Sequence, residues 1–213
     1  MDKINYEELE PLQVAALNTR EALTHFWKLP YIDEEYFGPP GNHNLTLYDT
    51  VAEIAKKLFP DPRPLTIADV GCGPGQGLAA IVRVFPDYDL GMFGVDWAES
   101  ACERARLLVP TSNIVCHDIL EENWLGDNRM DLVICLEMLE HQWLVKKTLM
   151  ELLRATKPGG HVLITVPNGE TDTFIGHRQF FKINTFRNLL ADFNVFEVYY
   201  IRGETNILAH LVK

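Results

Sequence analysis

Leu65-Thr66-Ile67-Ala68-Asp69-Val70-Gly71-Cys72-Gly73-Pro74-Gly75-Gln76-Gly77 is an apolar, β-leaning run that stops beside an acid and passes at once into a glycine-dense turn. Leu78-Ala79-Ala80-Ile81-Val82 follows with the composition of a buried helix. A strand, a tight loop and a helix N-terminus in that order bring backbone close to a nucleotide. Glycine suits the loop because, without a Cβ, it lets the main chain turn tightly and approach a ligand. A phosphate-binding P-loop would need Lys and then Ser or Thr after the glycines, and neither is present. A dinucleotide fingerprint begun at Gly71 fails at Gln76. The shifted frame Gly75, Gly77, Ala80 starts too late, inside the expected helix.

The order D-V-G-C-G-P-G instead resembles the first motif of class I S-adenosyl-L-methionine (AdoMet) dependent methyltransferases. Further segments extend the resemblance over roughly residues 65 to 168. Leu90 to Asp96 reads as a second strand ending in an acid, where a ribose-binding carboxylate is expected in such folds. Asp96 is equally placed to cap a helix over Ala98 to Val109, and the two roles are compatible. Asn113 to Ile119 reads as a third strand and its exit. In the methyltransferase pattern Asp118 there accepts from the adenine amino group while Ile119 covers the ring. Trp97 can stack on adenine or simply pack. Asp131 to Leu136 is an almost wholly apolar fourth strand, as expected where helices cover both faces of a sheet. Lys157 to Asn168 is a fifth, opened by a K-P-G-G turn.

The resemblance implies an α/β fold: a Rossmann-like, seven-stranded, mostly parallel methyltransferase sheet flanked by helices and closed by an antiparallel hairpin. Thr46 to Phe59 carries an apolar stripe (Leu47, Val51, Ile54, Ala55, Leu58) that fits a helix packed on the sheet, ended by Pro60, Pro62 and Pro64. Asn184 to Phe193 reads as helical. Val195 to Arg202 and Thr205 to Val212 read as a hairpin around Gly203. Residues 46–213 are expected to form the methyltransferase domain, and 1–45 a helical extension or lid. The aromatic residues of that extension (Tyr6, Phe26, Trp27, Tyr31, Tyr36, Phe37) and His43 either wall an apolar acceptor site or dock the extension.

By resemblance, Asp69 lies near the cofactor's ammonium, and Gly71, Cys72, Gly73, Gly75 and Leu136 line its methionine part. Asp96 holds the ribose, and Asp118 and Ile119 the adenine, on which Trp97 can also stack; S-adenosyl-L-homocysteine is the product. Methyl transfer to oxygen or nitrogen also needs the acceptor's proton removed, so a base or metal is expected where the fourth strand ends. Leu136-Glu137-Met138-Leu139-Glu140-His141 stands there. The phrase resembles the O-methyltransferases of ubiquinone biosynthesis and also the metal site of small-RNA 2′-O-methyltransferases. Glu137, Glu140 and His141 are spaced to share one side of a helical turn. With His177 as fourth ligand by analogy, they could hold Mg²⁺, Mn²⁺ or Zn²⁺. His141 as a metal-free base and a purely structural motif are the other readings. Catalysis is thus expected from His141, Glu137 and His177.

The chain has 213 residues, 47% hydrophobic and 23% charged, the composition of an ordinary globular domain. Its formal charge of −11, from 19 basic and 30 acidic residues, argues against a polyanionic partner such as nucleic acid, and the few basic residues are scattered. Cys72, Cys102, Cys116 and Cys135 form no C-x-x-C pair, which points to reduced thiols rather than a zinc cluster or disulfide framework. No stretch is apolar enough to span a bilayer and no signal sequence opens the chain, so a cytoplasmic enzyme is expected. The acceptor expected is a small-molecule hydroxyl: aromatic, polyketide or sugar. RNA 2′-O-methylation and a non-catalytic scaffold subunit are the alternatives.

Overall fold

A computed structural model describes residues 5, 8–29, 45–121 and 124–213. Tyr6, Tyr31, Tyr36, Phe37 and His43 lie outside the described residues. In chain order the elements are α1 (Pro11–Ala16), α2 (Arg20–Trp27), α3 (Leu45–Leu58), β1 (Leu65–Val70), α4 (Gln76–Val84), β2 (Leu90–Asp96), α5 (Glu99–Leu108) and β3 (Asn113–Cys116). They continue with β4 (Met130–Leu136), a 3₁₀ turn (Leu139–His141), α6 (Val145–Ala155), β5 (Thr156–Pro167), α7 (Ile183–Leu190), β6 (Val195–Ile201) and β7 (Asn206–Val212).

The strands form one sheet in the order β3-β2-β1-β4-β5-β7-β6. Neighbours from β3 to β5 pair in parallel, and β7 runs antiparallel to both β5 and β6. This is the Rossmann-like methyltransferase sheet with its closing hairpin. Alternation along the strands explains why both faces are covered. Ile67, Leu132 and Ile134 point into one layer with Leu47, Val51, Leu78 and Ile81. Ala68, Val70, Val133 and Cys135 point into the other with Leu149, Leu152, Phe186 and Leu190. Polar residues on either face would forfeit burial worth about 1.5–3 kcal/mol per large side chain. The order in which strands are added switches sides between β1 and β4, so a crevice opens beyond their carboxyl ends, the usual ligand position in such sheets.

Two expected boundaries move. The K-P-G-G segment is not a turn ahead of β5 but a bulge inside it: Met130 pairs with Thr156, and the next register pair is Leu132 with His161. Pro158 has no N–H to give to the ladder, so the strand loops out around it. Lys157 then reaches Asp131 Oδ2 at 2.7 Å, and Gly159 N–H donates to the Lys213 carbonyl at 2.8 Å. The last helix, α7, stops at Leu190 rather than running to Phe193, while the third strand ends at Cys116 and its exit bends where Asp118 Oδ1 accepts from Leu120 N–H at 2.9 Å.

The N-terminal helices α1 and α2 form a small cluster of their own. Val14, Ala15, Ala22, Leu23 and Phe26 are buried in it, with Trp27, Trp143 and Phe174 packed alongside. Arg178 fastens it from the loop after β5, donating to the Asn18 carbonyl at 2.9 Å. The helix pair therefore lies over the crevice. All four cysteines are free thiols, and among the described residues no helix is long and apolar enough to cross a membrane.

Candidate active site

The loop after β1 is strapped to the end of β2. Gly71 and Cys72 N–H groups donate to the Val95 carbonyl at 2.8 and 3.1 Å. Asp96 Oδ2 accepts from Gly73 N–H and Oδ1 from Ala98 N–H, each at 2.9 Å. One carboxylate thus ties the glycine loop to the start of α5, although the helix N-cap itself is Ala98. Gly71, Gly73 and Gly75 all have positive φ, at 77°, 49° and 91°. A Cβ on Gly71 would stand 2.5 Å from Met138 Cγ. Gly75 serves the fold: it is the left-handed N-cap of α4, close against Ala105 of α5, and lines neither cavity described below. We expect Gly71→Ala to weaken AdoMet binding about tenfold or more, combining a left-handed penalty of about 1–2 kcal/mol with displacement of Met138; calorimetric titration measures it.

Two cavities adjoin across Gly71, Asp96, Trp97, Met138 and His141. The first, about 320 Å³, is walled by Val95, Asp96, Trp97, His117, Asp118 and Ile119. Arg20 of α2 enters it and stands 3.5 Å from Asp118 Oδ2. The second, about 460 Å³, is walled by Asp69, Cys72, Gly73, Leu136, Glu137, Glu140 and His177, with Trp27, Tyr48 and Phe174 closing it. Both volumes are in the range of small-molecule sites. Asp69 forms the floor. It is 2% exposed, its Oδ1 has no hydrogen-bond partner, and burial followed by the nearby Asp96 pushes its pKa up to about 8. A buried, orphaned carboxylate at the floor of a cavity fits a cationic ligand group.

At the end of β4 the chain does not form the helical turn expected over Glu137 to His141. Glu137 takes φ +53°, a left-handed conformation, and only Leu139–His141 coils, as a 3₁₀ turn. The reversal sends Glu137 toward β7, where its Oε2 accepts from Asn206 Nδ2 at 2.9 Å. Burial lifts its pKa to about 7. Glu140, His141 and His177 do converge, with one ligand atom from each within 4.8 Å of the others. Of the four expected ligands, Glu137 is the one not gathered into this group.

The protons in the group can be assigned from their partners. His141 Nδ1 faces the Gly176 carbonyl at 3.3 Å, and His177 Nδ1 faces Asp172 Oδ2 at 2.5 Å. Both acceptors require N–H at Nδ1, so both Nε2 atoms carry lone pairs. Those Nε2 atoms lie 3.9 and 3.8 Å from Glu140 Oε1. Glu140 is 1% exposed, and neither carboxylate oxygen has a hydrogen-bond partner. Burial pushes its pKa well up, and burial with the neighbouring His177 pushes that of His141 down to about 3. Burial also lowers His177, opposed by Asp172. Two imidazole lone pairs and a carboxyl that burial holds toward its protonated form converge here, and a bound cation would replace that proton. Two imidazoles and a carboxylate suit Zn²⁺ or a similar divalent ion with positions left open.

Several contributors escaped the sequence. Asp172 carries no motif; it is set by the turn in which Asn168 O accepts from Asp172 N–H at 2.9 Å. Met138 and Gln142 sit on cavity walls, and Tyr48 arrives from α3. Trp27 meets the His141 ring edge-on at 4.8 Å, while Phe26 is buried in the helix pair, so one of two adjacent aromatics walls the site and the other docks the extension.

Residues 68–164 match the family described as a methyltransferase domain. The ubiquinone biosynthesis O-methyltransferase of Rickettsia bellii is 27% identical over 170 residues, 79% of this chain and 65% of that protein. The trans-aconitate 2-methyltransferase of Rhodopseudomonas palustris is 30% identical over 117 residues, 54% of this chain and 43% of that one. The chain thus spans less than two thirds of the length of these curated relatives. Among solved structures, a SAM-dependent methyltransferase from Aquifex aeolicus superposes with a TM-score of 0.64, covering 96% of this chain and 98% of that one. At 16% identity that likeness is one of fold.

Proposed function

We propose, from the premise that this chain belongs to the AdoMet-dependent methyltransferase family and carries its domain over residues 68–164, that it transfers a methyl group from AdoMet to an oxygen of a small hydroxylated molecule, aromatic in the favoured case. Residues 46–213 are the catalytic body in this reading, and 1–45 the lid. The supporting observation is the buried Asp69 carboxyl, its Oδ1 without a hydrogen-bond partner, together with the converging Glu140–His141–His177 group in one crevice.

AdoMet supplies a methyl carbon activated by a positive sulfonium. Asp69 would face its ammonium and Asp96 its ribose hydroxyls, while Asp118 and Ile119 would hold the adenine. The acceptor O–H gives up its proton, its oxygen forms the new C–O bond, and the S–C bond breaks to leave neutral S-adenosyl-L-homocysteine. The protein's share is to align acceptor and methyl and to ease that deprotonation. Glu140, His141 and His177 would hold Mg²⁺, Mn²⁺ or Zn²⁺, which lowers the pKa of a bound hydroxyl. Without a metal, the better base is His177 backed by Asp172, since burial leaves His141 a poor proton acceptor near neutrality.

The two curated relatives are named for different acceptors, so the acceptor class is read from the cavity itself. Its aromatic walls, Trp27, Tyr48 and Phe174, suit a flat, largely apolar body. Among the described residues lining that side there is no lysine or arginine to support RNA as acceptor. The test follows methyl-labelled AdoMet through cell extract with purified protein, with and without a chelator. Label in the small-molecule fraction, lost with chelator and restored by divalent metal, is expected. Label in RNA would overturn the acceptor class, and no label with AdoMet still bound would favour the scaffold reading. Asp96→Ala should lose AdoMet binding by about tenfold or more, since two backbone N–H groups and the ribose lose one carboxylate.

A further inference from the structure

The two ends of the crevice differ in charge. Arg20 and Lys147 line the adenosine end. The acceptor end is lined by five carboxylates (Asp69, Asp96, Glu137, Glu140 and Asp172) with two histidines and, among the described residues, neither lysine nor arginine. Arg178 donates to Asn18, and Arg202 stands outside the cavity lining, donating from Nη1 to Asn206 Oδ1 at 3.0 Å and easing the charge of Glu137 from behind. AdoMet and a divalent metal would neutralise the acids they touch, and among the described residues lining this end no lysine or arginine remains to receive an anionic acceptor. Beyond the acids bound by cofactor and metal, Glu137 is buried on the wall, with Asn206 and Thr165 as its polar neighbours. A negatively charged acceptor would enter this low-dielectric space without a counter-ion and beside like charges, an arrangement that costs several kcal/mol.

We propose that this cavity selects acceptors without negative charge, and that an ammonium-bearing hydroxylated aromatic is preferred over its neutral counterpart and strongly over its carboxylate. The proposal rests on the acceptor reading above and deepens it. Trp27, Tyr48 and Phe174 add ring faces on which a cation is stabilised. Glu137 would receive the ammonium, because it is a buried carboxyl on the cavity wall outside the three-ligand group.

The test uses three catechols of equal size that bear an aminomethyl, a hydroxymethyl or a carboxylate group para to one hydroxyl. Dissociation constants are measured on the protein loaded with zinc and S-adenosyl-L-homocysteine, and kcat/KM on the protein with zinc and AdoMet. We expect both to favour the ammonium compound over the neutral one, and the neutral one over the carboxylate, by about tenfold at each step. Glu137→Gln should narrow the spread between ammonium and carboxylate. In the unaltered protein, added salt should weaken binding of the ammonium compound more than that of the neutral one. A carboxylate bound as tightly as the neutral compound would overturn the charge selection alone. If none of the three binds, the aromatic-acceptor reading falls and the selection with it.

Discussion

Glu140→Gln is expected to abolish divalent-metal binding and lower kcat/KM by about a thousandfold while making the empty protein more stable. The opposite signs have one cause. In the metal-free fold Glu140 presents two buried oxygens with no donor, facing the lone pairs of His141 and His177. A glutamine amide of the same shape can donate to those nitrogens and carries no charge to desolvate, so the apo fold gains. The same change removes the only carboxylate from the three-ligand group, and with it the charge that holds the ion. A thousandfold loss corresponds to about 4 kcal/mol of transition-state stabilisation, within what a Lewis acid supplies. Metal content, melting temperature without metal, and turnover with metal check it together. A variant that kept both metal and turnover would remove Glu140 from the chemistry. A variant that lost turnover but melted lower would make it a structural residue.

Asp69→Asn is expected to show a similar reversal, with pH as the diagnostic. Burial, then Asp96, raises the Asp69 pKa from 3.8 to about 8 in the empty fold. A raised pKa means the folded state holds its proton more tightly than the unfolded chain. The associated stability is present below pH 4 and is lost as pH rises through 8. At about 1.4 kcal/mol per pH unit over that window, this one group costs the empty domain several kcal/mol in alkaline solution. The asparagine variant should therefore lose that part of the pH slope and melt higher than the parent at pH 8.5. It should also lose AdoMet affinity by at least about thirtyfold, the lower end of the roughly 2–5 kcal/mol attached to breaking a buried charge pair. In the parent protein, AdoMet binding at pH 7 should release close to one proton, because the ammonium replaces it on Asp69. Titration calorimetry in buffers of different ionisation heat reads that proton directly. No proton release, with affinity unchanged in the variant, would detach Asp69 from the cofactor.

Both variants trade function for stability, as expected where a site holds charges in readiness for a ligand. The same logic accounts for what could be read before folding. β1, the glycine turn and β2 were legible because a strand of β-leaning apolar residues, a turn needing positive φ and an acid at a strand end each leave a local mark. Helix α3 was legible from its stripe and the prolines after it. The K-P-G-G bulge was misplaced as a turn because its meaning depends on Asp131 and Lys213, distant in sequence, and the strand pairing resumes only beyond it.

The acceptor side divides along the same line. The sequence by itself determined the parallel sheet, the glycine loop beneath a nucleotide crevice, and the acids at the ends of β1, β2 and β4, since periodicity and turn chemistry act over a few residues. Tertiary structure alone decided which of those acids work together. A left-handed Glu137 turns away to Asn206 of β7, while His177 comes in from the loop after β5 with Asp172 fixing its tautomer. Trp27 and Arg20 reach the crevice from α2, more than a hundred residues before His141 in the sequence. Spacing along a chain constrains only neighbours on one element; convergence of side chains from separate elements is fixed by how the layers pack.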